Sequence, residues 1–267
     1  MTKGGGKGAL VFIGLGLHDD EGVSVGGLKE MMSADIIFAE EYTSALSDGS
    51  IGRLEKAIGR DIGILGRADV EDGKAILSAC EGRKVALLVV GDPMTATTHV
   101  DLRLRAEREG IRTRVIHGSS VLTAVPGILG LQHYKFGRTT TVPFPQEGYS
   151  PTSPYDVVCE NMSRGLHTLV LLDIDAENSR YMTANEGMHA LQDMERRVQK
   201  GVLRDDSLIC VVARAGSEDG IARAGELRVL MKEDFGPTLH TIAIPGKLHF
   251  MEEEALEVLA GMPKRKG

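Results

Sequence analysis

Six consecutive apolar residues, Val85-Ala-Leu-Leu-Val-Val90, run straight into Gly91-Asp92-Pro93. The run is too short for a membrane helix, which takes ~18 or more apolar residues. It has the length of a strand buried on both faces, the kind that parallel sheets contain. Gly-Asp-Pro is a turn-forming tripeptide. Asp101-Leu-Arg-Leu-Arg-Ala-Glu-Arg-Glu109 then reads as a helix, with Thr97 or Thr98 as its cap. Taken alone the tripeptide is a tight turn. Between a buried parallel strand and a helix, it marks the carboxyl edge of an open α/β sheet, where such folds bind ligands. Asp92 is then an anionic group at that edge.

The stretch before it repeats the theme. Ala9-Leu-Val-Phe-Ile13 is a second buried-strand run, ending in Gly14-Leu-Gly-Leu-His18. A dinucleotide fingerprint needs a third glycine three residues after the second; that place is Asp19, and acids at 19 to 21 would repel a pyrophosphate. Further strands are expected over 34–39, 62–65 and 112–117, with helices over 24–33, 54–58, 70–81 and 101–109. Alternation of this kind builds a parallel sheet covered on both faces. After Gly118-Ser-Ser120 comes an apolar segment, 121–131, broken by Pro126 and Gly127. We place a domain boundary near residue 137, giving an N-terminal α/β domain over 1–137 and a C-terminal one over 138–267. The second half has strands at 140–142, 168–172, 207–213, 222–225 and 240–244, and helices at 153–164, 184–200, 227–232 and 251–260. Strands that follow one another without helices point to a mixed sheet.

Composition narrows the function. A net charge of −7 gives no general attraction to phosphate backbones, and aromatics at 4% with no Trp argue against stacking sites for nucleic acid. Nucleic acid and membrane are therefore not expected partners. Cys80, Cys159 and Cys210 are dispersed, without C-x-x-C spacing, as in a reducing cytoplasm. Met1 to Gly8 reads as a lead-in lacking the apolar core of a signal peptide. No zinc, Walker or nucleophile-elbow spacing is present, so no metal is expected. Asp173 and Asp175 form a candidate carboxylate pair at a strand end, a position more often simply solvated. The stronger pattern is a set of strands ending in small residues: Gly14/Gly16, Gly91/Asp92, Gly118/Ser119/Ser120 and Ala213/Ala215/Gly216. Such a border suits a medium-sized polar cofactor and needs no protein nucleophile.

Seven segments in order carry a resemblance over nearly the whole chain. They are Phe38-Ala-Glu-Glu-Tyr-Thr-Ser44, Gly91-Asp-Pro-Met-Thr-Ala-Thr-Thr-His99, Tyr134-Lys-Phe-Gly137, Gly165-Leu-His-Thr-Leu169, Tyr181-Met-Thr-Ala-Asn-Glu186, Ala213-Arg-Ala-Gly-Ser217 and Pro245-Gly-Lys-Leu-His249. With Phe12-Ile-Gly-Leu-Gly-Leu17, the chain resembles the tetrapyrrole-methylase-like S-adenosylmethionine methyltransferases, in the branch that serves diphthamide biosynthesis. The resemblance implies two α/β/α domains with the cofactor in a cleft between them, and a homodimer. It implies methylation of the amino group of an aminocarboxypropyl-modified histidine on translation elongation factor two, with S-adenosyl-L-homocysteine as product. Some relatives also methylate a carboxylate. Carried over by motif, the cofactor-binding positions are Leu17, Asp92, Thr95, Ser120, Val121, Leu172, Ala215 and His240. Met94-Thr95 and Gly118-Ser119 depart from the pairs more usual at those places.

No catalytic residue stands out from the sequence, because a sulfonium methyl is already activated and needs mainly positioning. A corrin-precursor methylase of the same fold is the alternative, but Leu17-His18 stand where its first loop would have Pro-Gly. Lys135 and Arg138, with the proline-rich segment 143–154, are expected to form a rim that docks a protein substrate.

Overall fold

The computed structural model describes residues 7–146, 148 and 150–264, so most of the expected lead-in lies outside the described residues. In β1 (Ala9–Gly14), Leu10 and Phe12 join one core while Val11 and Ile13 join another, so both faces of the strand are dry. The chain continues through α1 (Val25–Ser33), β2 (Ile36–Glu40), α2 (Ser50–Ile58) and β3 (Gly63–Leu65). It then forms α3 (Arg67–Asp72), α4 (Lys74–Ala79), β4 (Lys84–Val89), α5 (His99–Arg108) and β5 (Arg112–Ile116). All pairings are parallel, in the order β3-β2-β4-β1-β5. Each fully buried Leu or Val on these strands stabilises the unit by roughly 1.5–3 kcal/mol.

The helices sort by face. Met31 of α1 and Leu54 and Ile58 of α2 pack on Val11, Ile13, Ala86 and Leu88. Val70 of α3, Ile76 of α4 and Leu102 and Ala106 of α5 pack on Leu10, Phe12, Val85 and Leu87. β1 therefore hands the chain to a helix on one face, and its neighbour β4 to a helix on the other. That reversal is a topological switch point, the place where open α/β sheets leave a crevice at their carboxyl edge.

The second half starts with α6 (Val121–Leu129), β6 (Thr140–Val142), α7 (Ser153–Ser163) and β7 (Thr168–Leu172). A small hairpin of β8 (Ile174–Asp175) and β9 (Arg180–Tyr181) precedes α8 (Ala184–Val198). β10 (Leu208–Ala213), β11 (Ile221–Glu226), α9 (Leu227–Leu230), β12 (His240–Ile244) and α10 (Phe250–Ala260) complete it. The sheet is mixed, in the order β11-β10-β12-β7-β6, with only β6 and β7 parallel. Helices α7, α8 and α9 cover one face, and α6 and α10 the other. Both halves are thus α/β, one sheet parallel and one mixed, as the patterning indicates.

Three local expectations need revising. The stretch 70–81 is not one helix: Gly73, at φ +66°, closes α3 as a left-handed cap and α4 starts anew. Segment 121–129 is not broken, since burial of Val125, Pro126 and Leu129 against the sheet offsets the hydrogen bond that Pro126 removes. Thr98 takes the cap position of α5 without a side-chain cap bond, while the Thr97 hydroxyl donates to Pro93 O at 2.6 Å. The compact units also divide earlier than residue 137. The first comprises residues 1–120 with 176–178, and the second the remainder. α6 goes with the second unit because its apolar face packs on Leu169, Cys210 and Ala243.

Candidate active site

Four of the expected cofactor positions belong to the first unit and follow the carboxyl ends of three adjacent strands: Leu17 after β1, Asp92 and Thr95 after β4, and Ser120 after β5. Glycines let these ends close on one another. Gly16 and Gly91 form an isolated bridge, with Gly91 N–H donating to Gly16 O at 2.7 Å. A Cβ on Gly14 would lie 2.5 Å from Gly118 N and 2.6 Å from Gly91 O, so no side chain fits there. Gly91 differs. At φ +76° an added Cβ would meet only Ser119 O at 3.9 Å, so the space beside Gly91 is unfilled although its N–H and C=O are both paired with Gly16.

Asp92 is 8% exposed and largely committed. Its Oδ1 accepts from Met94 N–H at 2.9 Å and from the Thr95 hydroxyl at 3.1 Å, and its Oδ2 meets His117 Nδ1 at 2.6 Å. Burial alone would raise its pKa. The bonds from Met94, His117 and Thr95 outweigh that and hold the carboxyl below its ordinary value. A carboxylate offers about four lone-pair sites, so roughly one remains for a ligand. The Thr95 hydroxyl braces this loop.

Behind the loop lies a buried polar cluster. Glu40, 1% exposed, accepts from Tyr42 N–H at 3.0 Å, from Thr43 N–H at 3.1 Å and from the Thr43 hydroxyl. His99, equally buried, donates from Nδ1 to Pro93 O at 3.0 Å, and its Nε2 faces the Tyr42 hydroxyl at 3.4 Å. The Asp92-Pro93 turn is thereby pinned from below. The matching segments 38–44 and 91–99 are two parts of one support.

In the second unit, Leu172 ends β7, Ala215 follows β10 and His240 opens β12. The antiparallel register sets Ala213 opposite His240 and Val170 opposite Ile242, so all three positions share one edge of that sheet. Leu172 needs Gly187 on α8, where a Cβ would come within 2.5 Å of it. Arg214 donates to Phe235 O and Pro237 O, both at 2.8 Å, tying the Ala215 loop to the segment before His240. His240 accepts from Ala184 N–H at 3.1 Å and donates to Pro237 O at 2.9 Å, so its ring has no nitrogen left to offer. Burial lowers its pKa and keeps it neutral. Val121 opens α6 and packs half-buried against that helix's core.

Lys135, expected at a docking rim, has its ammonium tied inward. Its Nζ pairs with buried Glu252 and donates to Lys247 O at 2.7 Å. Glu252 also meets His167 Nε2 at 3.0 Å, at the start of β7. This is the opposite edge of the sheet from Leu172 and His240. Asp173 is likewise structural, accepting from Phe144 N–H at 2.7 Å and Ile174 N–H at 3.0 Å.

The family described as Tetrapyrrole (Corrin/Porphyrin) Methylases matches residues 9–230. The chain belongs to that family and is a methyltransferase. Within it, the chain is 45% identical over 255 residues to the diphthine synthase of Methanothermobacter thermautotrophicus, covering 96% of this chain and 97% of that one. It is 46% identical to the diphthine synthase of Methanocaldococcus jannaschii, covering 94% and 98%. A crystal structure of diphthine synthase superposes with a TM-score of 0.87 at 38% identity, covering 96% and 97%.

The thiols sit apart from these groups. Cys80 and Cys210 are fully buried, and burial pushes Cys80 up to about 11 and Cys210 higher still. Cys159 is raised by the same cause. A variant without cysteine is expected to keep methyl-transfer turnover as long as it folds. Loss of turnover with intact circular dichroism would reopen covalent catalysis.

Proposed function

We propose that the protein methylates the amino group of the aminocarboxypropyl-modified histidine of translation elongation factor two, working in the cytoplasm as a homodimer, with S-adenosyl-L-methionine as donor. The observation that carries this reading is Asp92, a carboxylate held anionic at the switch point beside the unfilled space at Gly91. The donor set fits such a cofactor. Asp92 has a lone pair left for an ammonium or ribose hydroxyl, Gly91 leaves room for a close approach, and Leu17, Val121, Leu172 and Ala215 are half-buried apolar positions. Of the positions the resemblance implies, Leu17, Asp92, Thr95 and Ser120 belong to the first unit, and Val121, Leu172, Ala215 and the backbone of His240 to the second. When bound, the cofactor supplies a sulfonium methyl that a nucleophile takes while the C–S electron pair stays with sulfur.

The protein's own task is to orient, to exclude water and to leave the amine unprotonated. A macrocycle is a poorer fit. Phe12, Phe144, Phe235, Tyr42 and Tyr155 are buried within the cores, and the most exposed described aromatics, Tyr134 and Phe250, flank Lys135 and Glu252 at the sheet end opposite Leu172 and His240. Radiolabelled donor, offered with modified factor, unmodified factor and a corrin precursor in parallel, is expected to label the modified factor alone, with mass spectrometry counting the methyl groups. Label in the corrin precursor, or equally in unmodified factor, would overturn the reading.

A further inference from the structure

Asp92 and His117 lie on strands that are not neighbours. β1 runs between β4 and β5, yet Asp92 Oδ2 and His117 Nδ1 are 2.6 Å apart. They meet because β1 ends in Gly14-Leu-Gly16, with no side chain at Gly14 to keep the flanking loops apart. The pair is asymmetric: the Asp92 side chain is 9% exposed, that of His117 73%. Asp92 is fixed by Met94 N–H and the Thr95 hydroxyl, so it in turn fixes the imidazole. A carboxylate facing Nδ1 selects the tautomer with the proton on Nδ1, and leaves a lone pair on Nε2. The ring thus presents a proton acceptor to solvent at the strand edge that carries Asp92, where the methyl donor is proposed to bind.

The geometry points to His117 as the catalytic base of the methyl transfer, taking the proton from the substrate ammonium at Nε2. The inference rests on the function proposed above. An alkylammonium is protonated at neutral pH and has no lone pair to give. Transfer of its proton to His117 Nε2 makes an imidazolium that the Asp92 carboxylate stabilises, and frees the nitrogen lone pair to form the N–C bond. The imidazolium then returns its proton to water through its exposed face, ready for a further transfer. Asp92 is the carboxylate facing the ring, and both residues follow strands of the same unit.

The test compares wild type with His117→Ala on aminocarboxypropyl-modified factor under single-turnover conditions from pH 6 to pH 10. At neutral pH, His117→Ala is expected to lower the rate by about 10²–10⁴-fold, the range for a positioned general base. Affinity for S-adenosyl-L-homocysteine should change little. The deficit should shrink as alkaline pH deprotonates the amine, and free imidazole should restore part of the rate. Independently of turnover, the ¹⁵N shifts of His117 should report a protonated Nδ1 in wild type and mixed tautomers in Asp92→Asn. An unchanged rate and pH profile in His117→Ala beside an active wild type would overturn this inference alone, as would a protonated Nε2 in the neutral wild-type ring. A wild type inactive on every form of the factor would overturn the functional reading and this inference with it.

Discussion

Replacing Glu252 with alanine is expected to lower folding stability by about 3–5 kcal/mol, the usual effect of removing one partner from a buried ion pair. Its carboxylate, fully buried, takes bonds from Gln132 N–H at 2.9 Å, His249 N–H at 2.8 Å, His167 at 3.0 Å and the Lys135 ammonium. Truncation would leave Lys135 as an uncompensated, mostly buried cation and two backbone donors without partners. Domains of this size keep only ~5–15 kcal/mol in total, so urea unfolding of Glu252→Ala should show either a much lower midpoint or no transition. Glu252→Gln retains the shape and some acceptors, and should fall in between. Burial would raise the Glu252 pKa, but those four bonds bring it down to about 2. Its contribution is therefore complete above pH ~4.5 and is lost as the pH falls toward about 2. His167 and His240 act in a higher window. Burial lowers both, so below pH ~6.5 the unfolded chain binds protons that the folded one refuses. Unfolding midpoints should drift down from pH 6.5 and drop more steeply below pH 4.5. The steep part should weaken in Glu252→Gln, leaving the contribution of Asp92, whose carboxyl is also held low; an unchanged steep part there would show that another carboxylate governs acid unfolding.

The Glu252 knot also shows where a sequence stops being informative. Lys135, Gly165-Leu-His167 and Pro245-Gly-Lys-Leu-His249 are legible as distinctive segments, and exposure at a rim is the natural reading of a lysine beside Tyr134. What they do is set by pairing at long sequence separation. Lys135 reaches Glu252, and Gly246 N–H donates to His167 Nδ1 at 2.9 Å. Nothing local in 134–138 announces a carboxylate more than a hundred residues away. The buried runs at 9–13 and 85–90 are legible because hydrophobic length alone separates them from surface elements. Asp92 is legible too, from the turn that follows such a run. His117 is not, since its role depends on β5 lying next to β1 and not next to β4. Strand order, which decides that adjacency, leaves no mark on the residues themselves.

The second large effect concerns the cofactor. Asp92→Ala is expected to weaken S-adenosyl-L-methionine binding by about 1.5–3 kcal/mol, the worth of a hydrogen bond to a charged group, or roughly tenfold to a hundredfold in Kd. The structure separates two ways this loss could arise. One is direct, through the lone pair that Asp92 keeps for a ligand. The other is through the loop, because Oδ1 also holds Met94 N–H and the Thr95 hydroxyl. Asp92→Asn distinguishes them. The amide oxygen can still accept from Met94 and Thr95, so the turn persists while the negative charge is gone. If charge dominates, calorimetry should find Asn nearly as weak as Ala. If bracing dominates, Asn should bind close to wild type, and Thr95→Val should reproduce part of the alanine defect. Both variants should fold, because the cores of the first unit are built from the strand interiors and the helices packed on them, with Glu40 and His99 supporting the turn independently. Thermal unfolding with and without cofactor checks that directly, since a bound ligand raises the midpoint by an amount that grows with the logarithm of its affinity. Full affinity in a folded Asp92→Ala protein would remove Asp92 from the binding site and leave it only the work of holding His117.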